Sequence, residues 1–337
     1  MQYYVKRVGQ ALFTLYAVAT ISFVMIRFMP GGPIDYLRAQ LIQQYGDAQN
    51  TEQRVQELVA IYTNIRTDKP IWQQYIDYMS SLLVGDMGQS VWFKEAVSAI
   101  LAEALPWTVF VAGTALIITF TSGILLGAFM AYVEGSRIDF SLTSGLLASH
   151  AVPYYVAALL LLFTFGYTLE WFPTGGRFAP DVEPGLTVAF FSSALYHAAL
   201  PILSLVLTGF GTGAFGMRGN SIQVLGSDYV RVGRLRGLSE YRMVTRYVAR
   251  NAFLPMYTTL LIRIGGVFGG SVILETIFQY RGMGFYIFQA FSSRDYPLMM
   301  GGFIVTTAVV IFALVIADFT YGWLDPRISQ GGEHESF

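Results

Sequence analysis

Arginine dominates the one stretch of this sequence whose side chains could bind a charged partner. Seven arginines fall between positions 218 and 250, at 218, 231, 234, 236, 242, 246 and 250, and only Asp228 and Glu240 oppose them. A guanidinium donates paired hydrogen bonds to a carboxylate, so such a cluster can dock onto an acidic surface. This stretch, which we call the arginine island, is too charged to lie in lipid and must lie in water at a membrane face.

The second half of the island has the periodicity of a helix. Arg242, Arg246 and Arg250 repeat at every fourth residue, which would stack them along one side. The opposite side would carry Val244, Tyr247, Val248 and Asn251. The pattern predicts a short helix lying along a surface. Two interpretations fit: a positive-inside topology signal and nothing more, or a docking helix for a cytoplasmic partner.

Three further ionisable residues, Arg263, Glu275 and Asp318, fall within or near apolar runs. Charge at membrane depth is costly and usually faces a cavity or another charge. Twelve residues separate Arg263 from Glu275, about 18 Å along a helix, so the two cannot pair within one helix. We predict Arg263 and Glu275 as candidate pathway or inter-subunit residues, with interfacial hydrogen bonding as the alternative for Glu275 and for Asp318.

Motifs of bond-making chemistry are missing from the sequence. A P-loop needs glycine before its lysine, but the three lysines follow Val5, Asp68 and Phe93. His150 and His197 stand without HExxH or carboxylate spacing, so a buried hydrogen-bonding role is favoured over metal ligation. No GxSxG elbow occurs, and without cysteine there is no thiolate or disulfide. We expect no catalytic residue, cofactor or metal in this chain.

Composition defines the class of protein that must position these residues. Hydrophobic residues make up 54% of the 337, charged residues only 13%, and the mean hydropathy is +0.50. This balance is that of an integral membrane protein surrounded by lipid. The net charge of −1 provides no general field for nucleic acid. We predict an all-α polytopic protein of the cell membrane.

The apolar runs predict six transmembrane helices. The first, about Val8 to Met29, could be mistaken for a signal peptide, but it exceeds the usual apolar region and ends in PGGP at 30–33. We therefore interpret it as a retained helix. The other five runs occupy roughly 107–133, 142–169, 197–217, 254–278 and 298–323.

The segment between the first two predicted spans is polar. Residues 34–103 carry nine acidic and five basic side chains, and helices are predicted over 51–66 and 70–83, with a break at 85–88. A cytoplasmic N-terminus puts the arginine island on the cytoplasmic side and this insert outside. An even number of spans then returns the C-terminus to the cytoplasm.

Small residues at a spacing of four predict close packing between membrane helices. The pairs are Gly123 with Gly127, Gly209 with Gly213, Gly265 with Gly269, and Gly266 with Gly270. Together they predict a tightly packed bundle with at least one surface for a partner.

With the spans placed, the segment DYVRVGRLRGLSEYRMVTRYVARNAFLP at 228–255 closely resembles the cytoplasmic loop of the dipeptide/oligopeptide-type permease subunits of binding-protein-dependent ABC importers. Their pattern there is DYVRxARxKGLxxxxxxxxHxxRNAxLP, and the departures are Gly233 for Ala, Arg236 for Lys and Tyr247 for His. Further similar segments, in the same order, are MPGGP, GDMGQS, WFPTGG, HAALPILSL and LETIFQYRGMGFYIFQAFSSRDYPLMMG. In the last of these, Arg281 replaces the usual proline.

The resemblance implies a division of the chain into four segments. These are an N-terminal transmembrane helix (1–33), an extracytoplasmic helical segment (34–104), a permease core of five transmembrane helices (105–327) with a coupling loop at 218–253, and a cytoplasmic tail (328–337). The coupling helix would lie between the fourth and fifth spans. The residues implied for coupling to an ATPase are Asp228, Tyr229, Val230, Arg231, Arg234, Gly237, Leu238, Arg242 and Arg246.

The resemblance also implies partners and a function. We expect a second permease subunit, with a heterodimer favoured, two ATPase subunits that carry ATP and Mg²⁺, and an extracytoplasmic substrate-binding protein. Peptides are the leading substrate class, with nickel, glutathione and oligosaccharides as alternatives. A stand-alone secondary transporter or channel is the competing hypothesis from another class. An intramembrane enzyme is a third, and it lacks a nucleophile-and-base pair.

Overall fold

The structure is a computed structural model that describes residues 2–28, 51–66, 68–267 and 271–324, together with positions 35, 36, 39, 42 and 43. Several predicted features lie outside the described residues: the tail at 328–337, the PGGP turn, residues 44–50 of the insert, and Gly269 with Gly270. The side chain of Asp318 lies outside them as well. Within the described part the regular elements are helices, with one isolated bridge between Gln89 and Ala96. The prediction of an all-α polytopic protein is confirmed.

The helices of the first half are α1 (Gln2–Phe28), α2 (Thr51–Thr63), α3 (Ile71–Leu83), α4 (Val97–Tyr132), α5 (Arg137–Ala151) and α6 (Tyr154–Leu161), which continues as a π-helix over Leu162–Thr168. The second half contains α7 (Val188–Leu225), α8 (Asp228–Leu235), α9 (Glu240–Met243), a π-helix over Val244–Val248, α10 (Ala249–Val267), α11 (Val272–Ile277), α12 (Met283–Ser293) and α13 (Tyr296–Leu324).

Four of the described helices, α1, α4, α7 and α13, are long and apolar enough to cross a membrane. Helices α5 and α6 meet at 88° and would make a fifth span only if they act together. The apolar run over 142–169, predicted as one span, is therefore a bent pair of helices and not a continuous helix. The chain breaks at Val152, which has ψ 120°, because the ring of Pro153 disfavours helical geometry in the residue before it.

The predicted span over 254–278 is also divided. Its residues fall in α10 and α11, and positions 268–270 between them are outside the described residues. Arg250, Asn251 and Arg263 make α10 too polar to count as a span by composition, so it is not among the four. The predicted number of six spans is not confirmed.

The described residues form two compact units, and the first contains those that fall within 1–108, 271–272 and 281–316. It holds both helices predicted for the insert: α2 is three residues shorter than expected, and α3 follows Pro70, its N-cap. Phe23 of α1 packs edge-on against Tyr75 of α3, with 5.3 Å between ring centroids, and Thr20 shares a 2.8 Å hydrogen bond with the Tyr75 hydroxyl. Burial in the same cluster raises the pKa of Tyr78.

The second unit contains residues 109–267, 273–280 and 317–324 of the described part. Helices α4 and α7 cross at glycines: a Cβ on Gly123 would lie 3.0 Å from the Gly213 Cα, and one on Gly127 would lie 2.3 Å from the Ala214 carbonyl oxygen. The glycine spacing predicts close packing at these residues, and the structure shows that α4 and α7 are the helices that meet there. A Cβ on Gly266 would meet nothing within 4 Å, so that residue makes no such contact.

Candidate functional site

Helix α8 opens the arginine island, and its two ends are fixed by local hydrogen bonds. Ser227 stands at the N-cap, and its hydroxyl donates to the Val224 carbonyl at 2.5 Å. At the C-terminal end, the Gly237 N–H donates to the Arg234 carbonyl at 2.9 Å and the Leu238 N–H to the Gly233 carbonyl at 3.3 Å. This pair of bonds is a Schellman motif. It places Gly237 at φ +72°, a conformation that L side chains rarely adopt.

One face of α8 packs inward against the second half of the island. Val230 is fully buried in a cluster with Met243 and Val248, and Leu238 packs against that cluster. Gly233 is also buried, and a Cβ there would lie 2.5 Å from the Met243 Cε. The methionine therefore occupies the space that the alanine of the resembling family would need.

The opposite face of α8 is exposed, and it combines apolar and cationic side chains. Tyr229, Val232 and Leu235 are 44%, 49% and 82% exposed. Arg231 and Arg234 are exposed beside them. Exposed apolar groups next to arginines, held on a rigid element, are typical of a surface that binds a protein partner.

The second half of the island differs from the predicted regular helix. It contains one turn of α9, then the π-helix over Val244–Val248, and then α10. Arg242, Arg246 and Arg250 are all exposed. The π-helical turn, which the periodicity does not reveal, joins these arginines to α10 without a loop.

Arg218 does not belong to the exposed surface, although the sequence places it in the island. Its Nε and Nη2 donate to the two carboxylate oxygens of Asp139 at 3.1 and 2.8 Å. The Gly135 N–H donates to the same carboxylate at 3.1 Å. The Asp139 side chain is 8% exposed and that of Arg218 is 28% exposed. The Arg218 side chain is therefore bound to α5, and the other six arginines of the island are exposed.

The predicted coupling residues therefore divide into two groups. Val230 is buried and Leu238 is half-buried, and both pack in the cluster beneath the exposed residues. The exposed members are Asp228, Tyr229, Arg231, Arg234, Gly237, Arg242 and Arg246. We call these seven, with Val232 and Leu235, the docking surface.

Arg263 and Glu275 lie in α10 and α11, outside the elements that carry the docking surface. Glu275 is 3% exposed in α11, and its carbonyl accepts from the Tyr280 N–H at 2.8 Å. Arg263 lies in α10, fourteen residues beyond Ala249, about 21 Å along the axis. It lines a cavity of about 230 Å³ in the second unit.

The first unit contains a buried hydrogen-bond network around Asp295 that is not predicted from the sequence. Asp295 is fully buried, and its Oδ2 accepts from the Ser90 hydroxyl at 2.5 Å and from the Trp92 N–H at 3.0 Å. Its Oδ1 accepts from the Leu298 N–H at 3.3 Å, in the first turn of α13. An aspartate just before a helix is a recognisable capping signal, but nothing in the local pattern identifies Ser90 as its partner.

Comparison with known proteins agrees with this architecture. Residues 123–330, more than half of the chain, match the family model of the binding-protein-dependent transport system inner membrane component. The chain is 30% identical to a di/tripeptide transport system permease protein of Pseudomonas aeruginosa, over 97% of this chain and 98% of that protein. It is 28% identical to a dipeptide transport system permease protein of Bacillus subtilis, over 97% of each.

Among solved structures, a bacterial ABC transporter involved in the import of the acidic polysaccharide alginate shares the fold. The TM-score is 0.51 at 14% identity, covering 85% of this chain and 94% of that one. The chain belongs to the binding-protein-dependent transport system inner membrane components, and it is a multi-pass permease subunit of an ABC importer.

Proposed function

We propose that this permease imports peptides and that its docking surface receives an ATPase subunit on the cytoplasmic side. Support for the substrate class comes from the relatives, which are named for di- and tripeptide transport. The observation that carries the docking role is the exposed face of α8, where Tyr229, Val232 and Leu235 alternate with Arg231 and Arg234. Apolar anchors beside guanidinium groups suit a partner cleft lined with carboxylates.

Importers of this family work with further permease, ATPase and substrate-binding components. We propose that the second permease is a distinct chain, that two ATPases bind ATP and Mg²⁺, and that an extracytoplasmic binding protein delivers the solute. Both termini of this chain then lie in the cytoplasm, with the polar insert outside. The coupling loop is the predicted segment 218–253, within a core of residues 105–327.

The contacts around the docking surface suggest how a movement would be transmitted. The Val230–Met243–Val248 cluster ties α8 to the π-helix, and the π-helix continues into α10 without a loop. A displacement of α8 by a closing ATPase would therefore act on α10 directly. If the closed ATPases bind one arrangement of the helix bundle more tightly than the other, their closure would favour that arrangement. It would thereby decide which side of the membrane the pathway faces.

The test compares charge reversal on and off the docking surface. Arg231→Glu combined with Arg234→Glu should abolish co-purification with the ATPase and peptide uptake, while the amount of protein in the membrane stays unchanged. Arg137→Glu is a matched control, because that arginine is also exposed but lies at the start of α5. ATPase binding and uptake at the wild-type level in the double variant would refute the docking role.

Reconstitution distinguishes the proposed ATP-driven importer from the competing hypothesis of a stand-alone transporter or channel. The purified chain alone should move no peptide across a proteoliposome membrane, whereas the complete set of subunits should do so with ATP. Peptide transport by the chain alone would overturn the proposed ATP-driven function.

A further inference from the structure

The cavity beside Arg263 has the chemistry of a binding site. Its walls come from three helices of the second unit, α4, α7 and α10. Its polar groups are Thr119, Thr212, Thr259 and Arg263, and its apolar wall includes Phe120 and Met256. A volume of about 230 Å³ is large enough for several water molecules, at about 30 Å³ each, or for the polar end of a small solute.

Among the described residues that line this cavity, Arg263 carries the one charged side chain. Among the described residues, the Arg263 guanidinium makes no hydrogen bond or ion pair. Arginine stays protonated in proteins, so it cannot lower the cost of burial by losing its charge. An uncompensated cation at membrane depth is expensive and needs an anion or water. Asp139 shows the contrast within the same unit, because it neutralises Arg218 completely with two hydrogen bonds.

The location of the cavity connects it to the docking surface. Thr259 and Arg263 lie one turn apart on α10, the helix that continues from the π-helical turn of the arginine island. On the other side, Thr212 lies on α7 beside the glycine crossing with α4. A movement of α10 relative to α7 would change the separation of Thr259 and Thr212, and hence the shape of the cavity.

We propose that this cavity is a transit site for the carboxylate of the transported solute, with Arg263 as its counter-charge. The inference rests on the proposed function as a permease for peptides. The guanidinium offers two N–H groups to a carboxylate in a bidentate contact, and the apolar wall accommodates the adjoining side chain. The site takes small organic anions with one free carboxylate, such as a peptide with an unblocked C-terminus.

The absence of cysteine from the chain makes a direct test possible. Thr259→Cys, and separately Thr212→Cys, would be made in the assembled complex in detergent, so that reagents reach both faces. The rates of modification by an anionic and a cationic methanethiosulfonate reagent are then compared on this chain after separation from its partners. With Arg263 present the anionic reagent should react faster. Arg263→Gln should lower the ratio of the two rates about tenfold, and Arg263→Lys should preserve it.

A second readout identifies the ligand. Dialanine at millimolar concentration should protect the cysteine from modification, whereas its C-terminal amide should protect far less, and the difference should vanish in Arg263→Gln. The same rate ratio in the wild-type and Arg263→Gln backgrounds, as expected if a partner chain neutralises the arginine, would overturn the proposal. Equal protection by the acid and the amide would do so as well.

Failure of the transit site can be told apart from failure of the proposed function. ATP-dependent uptake by the complete wild-type complex tests the proposed function without reference to Arg263. If uptake is normal and Arg263 has no effect on labelling or protection, only the transit site is refuted. If the wild-type subunits fail to import peptides, the proposed function falls and the transit site falls with it.

Discussion

Ser90 and Asp295 are 205 residues apart in the chain, yet the Ser90 hydroxyl donates a 2.5 Å hydrogen bond to the Asp295 carboxylate. The same carboxylate accepts from the N–H groups of Trp92 and Leu298. It therefore joins the turn between α3 and α4 to the start of α13. Both side chains are fully buried, so water does not replace these bonds if one partner is removed.

Asp295→Ala is expected to lower the free energy of unfolding by about 3 kcal/mol, because it leaves buried donors without an acceptor. Ser90→Ala should cost less, about 1 to 2 kcal/mol, since the carboxylate keeps its two backbone donors. Thermal unfolding of the detergent-solubilised protein provides the measurement, and the double variant tests coupling. Strictly additive effects of the two substitutions would contradict a direct interaction.

Substitutions at Gly237 can distinguish an effect of backbone strain from an effect of charge. A Cβ there meets nothing within 4 Å, so only the φ of +72° restricts the residue. Gly237→Asn should retain ATPase binding, because asparagine tolerates this conformation, whereas Gly237→Val should lose it at a conformational cost of about 1 to 2 kcal/mol.

Gly237→Asp tests the charge of the same surface. Aspartate tolerates a positive φ about as well as asparagine, but it places a carboxylate among exposed arginines that are proposed to meet carboxylates. We expect it to abolish uptake while membrane insertion remains normal. Binding of the ATPase by the aspartate variant as tight as by Gly237→Asn would show that charge at this position is unimportant.

Arg218 should affect stability without affecting docking. Arg218→Gln removes the ion pair with the Asp139 carboxylate, and we expect a lower thermal unfolding temperature, since that carboxylate loses its counter-charge. Binding of the ATPase by the folded fraction should equal that of wild type. If Arg218→Gln weakened ATPase binding but left thermal stability unchanged, Arg218 would have to be counted as part of the docking surface.

The helix crossing can be tested with a matched pair of glycines on α4. Gly127→Ala should destabilise the protein by about 1 to 3 kcal/mol, because the new methyl group meets the backbone of α7. Gly113→Ala is the control on the same helix, where a Cβ would meet nothing within 4 Å. That change should be neutral or stabilising, since alanine is the better helix former. Equal thermal shifts for the two variants would contradict the crossing.

Features that depend on local pattern could be predicted from the sequence. The two insert helices, the exposed arginines and the close packing at spaced glycines all follow from composition or spacing of neighbouring residues, although the spacing does not say which helices meet. The resemblance of residues 228–255 to a permease loop added the family, which the comparison confirmed.

Features that depend on contacts between distant residues were missed. The pairing of Arg218 with Asp139 spans 79 residues, and that of Ser90 with Asp295 spans 205. No local periodicity carries such information. The helix break at Val152 could have been predicted, because Pro153 directly follows that residue. It was not predicted because the apolar run continues through both residues.

The contact between Gly233 and Met243 restricts how this loop could be exchanged with that of another permease. A donor α8 that brings alanine at position 233 would displace the end of the Met243 side chain, since the space is already filled. Methionine is flexible, so a chimera that grafts α8 alone should still fold, but with Met243 repacked. One that transfers residues 228–248 as a single cassette would keep the matched pair together and preserve the presentation of the arginines.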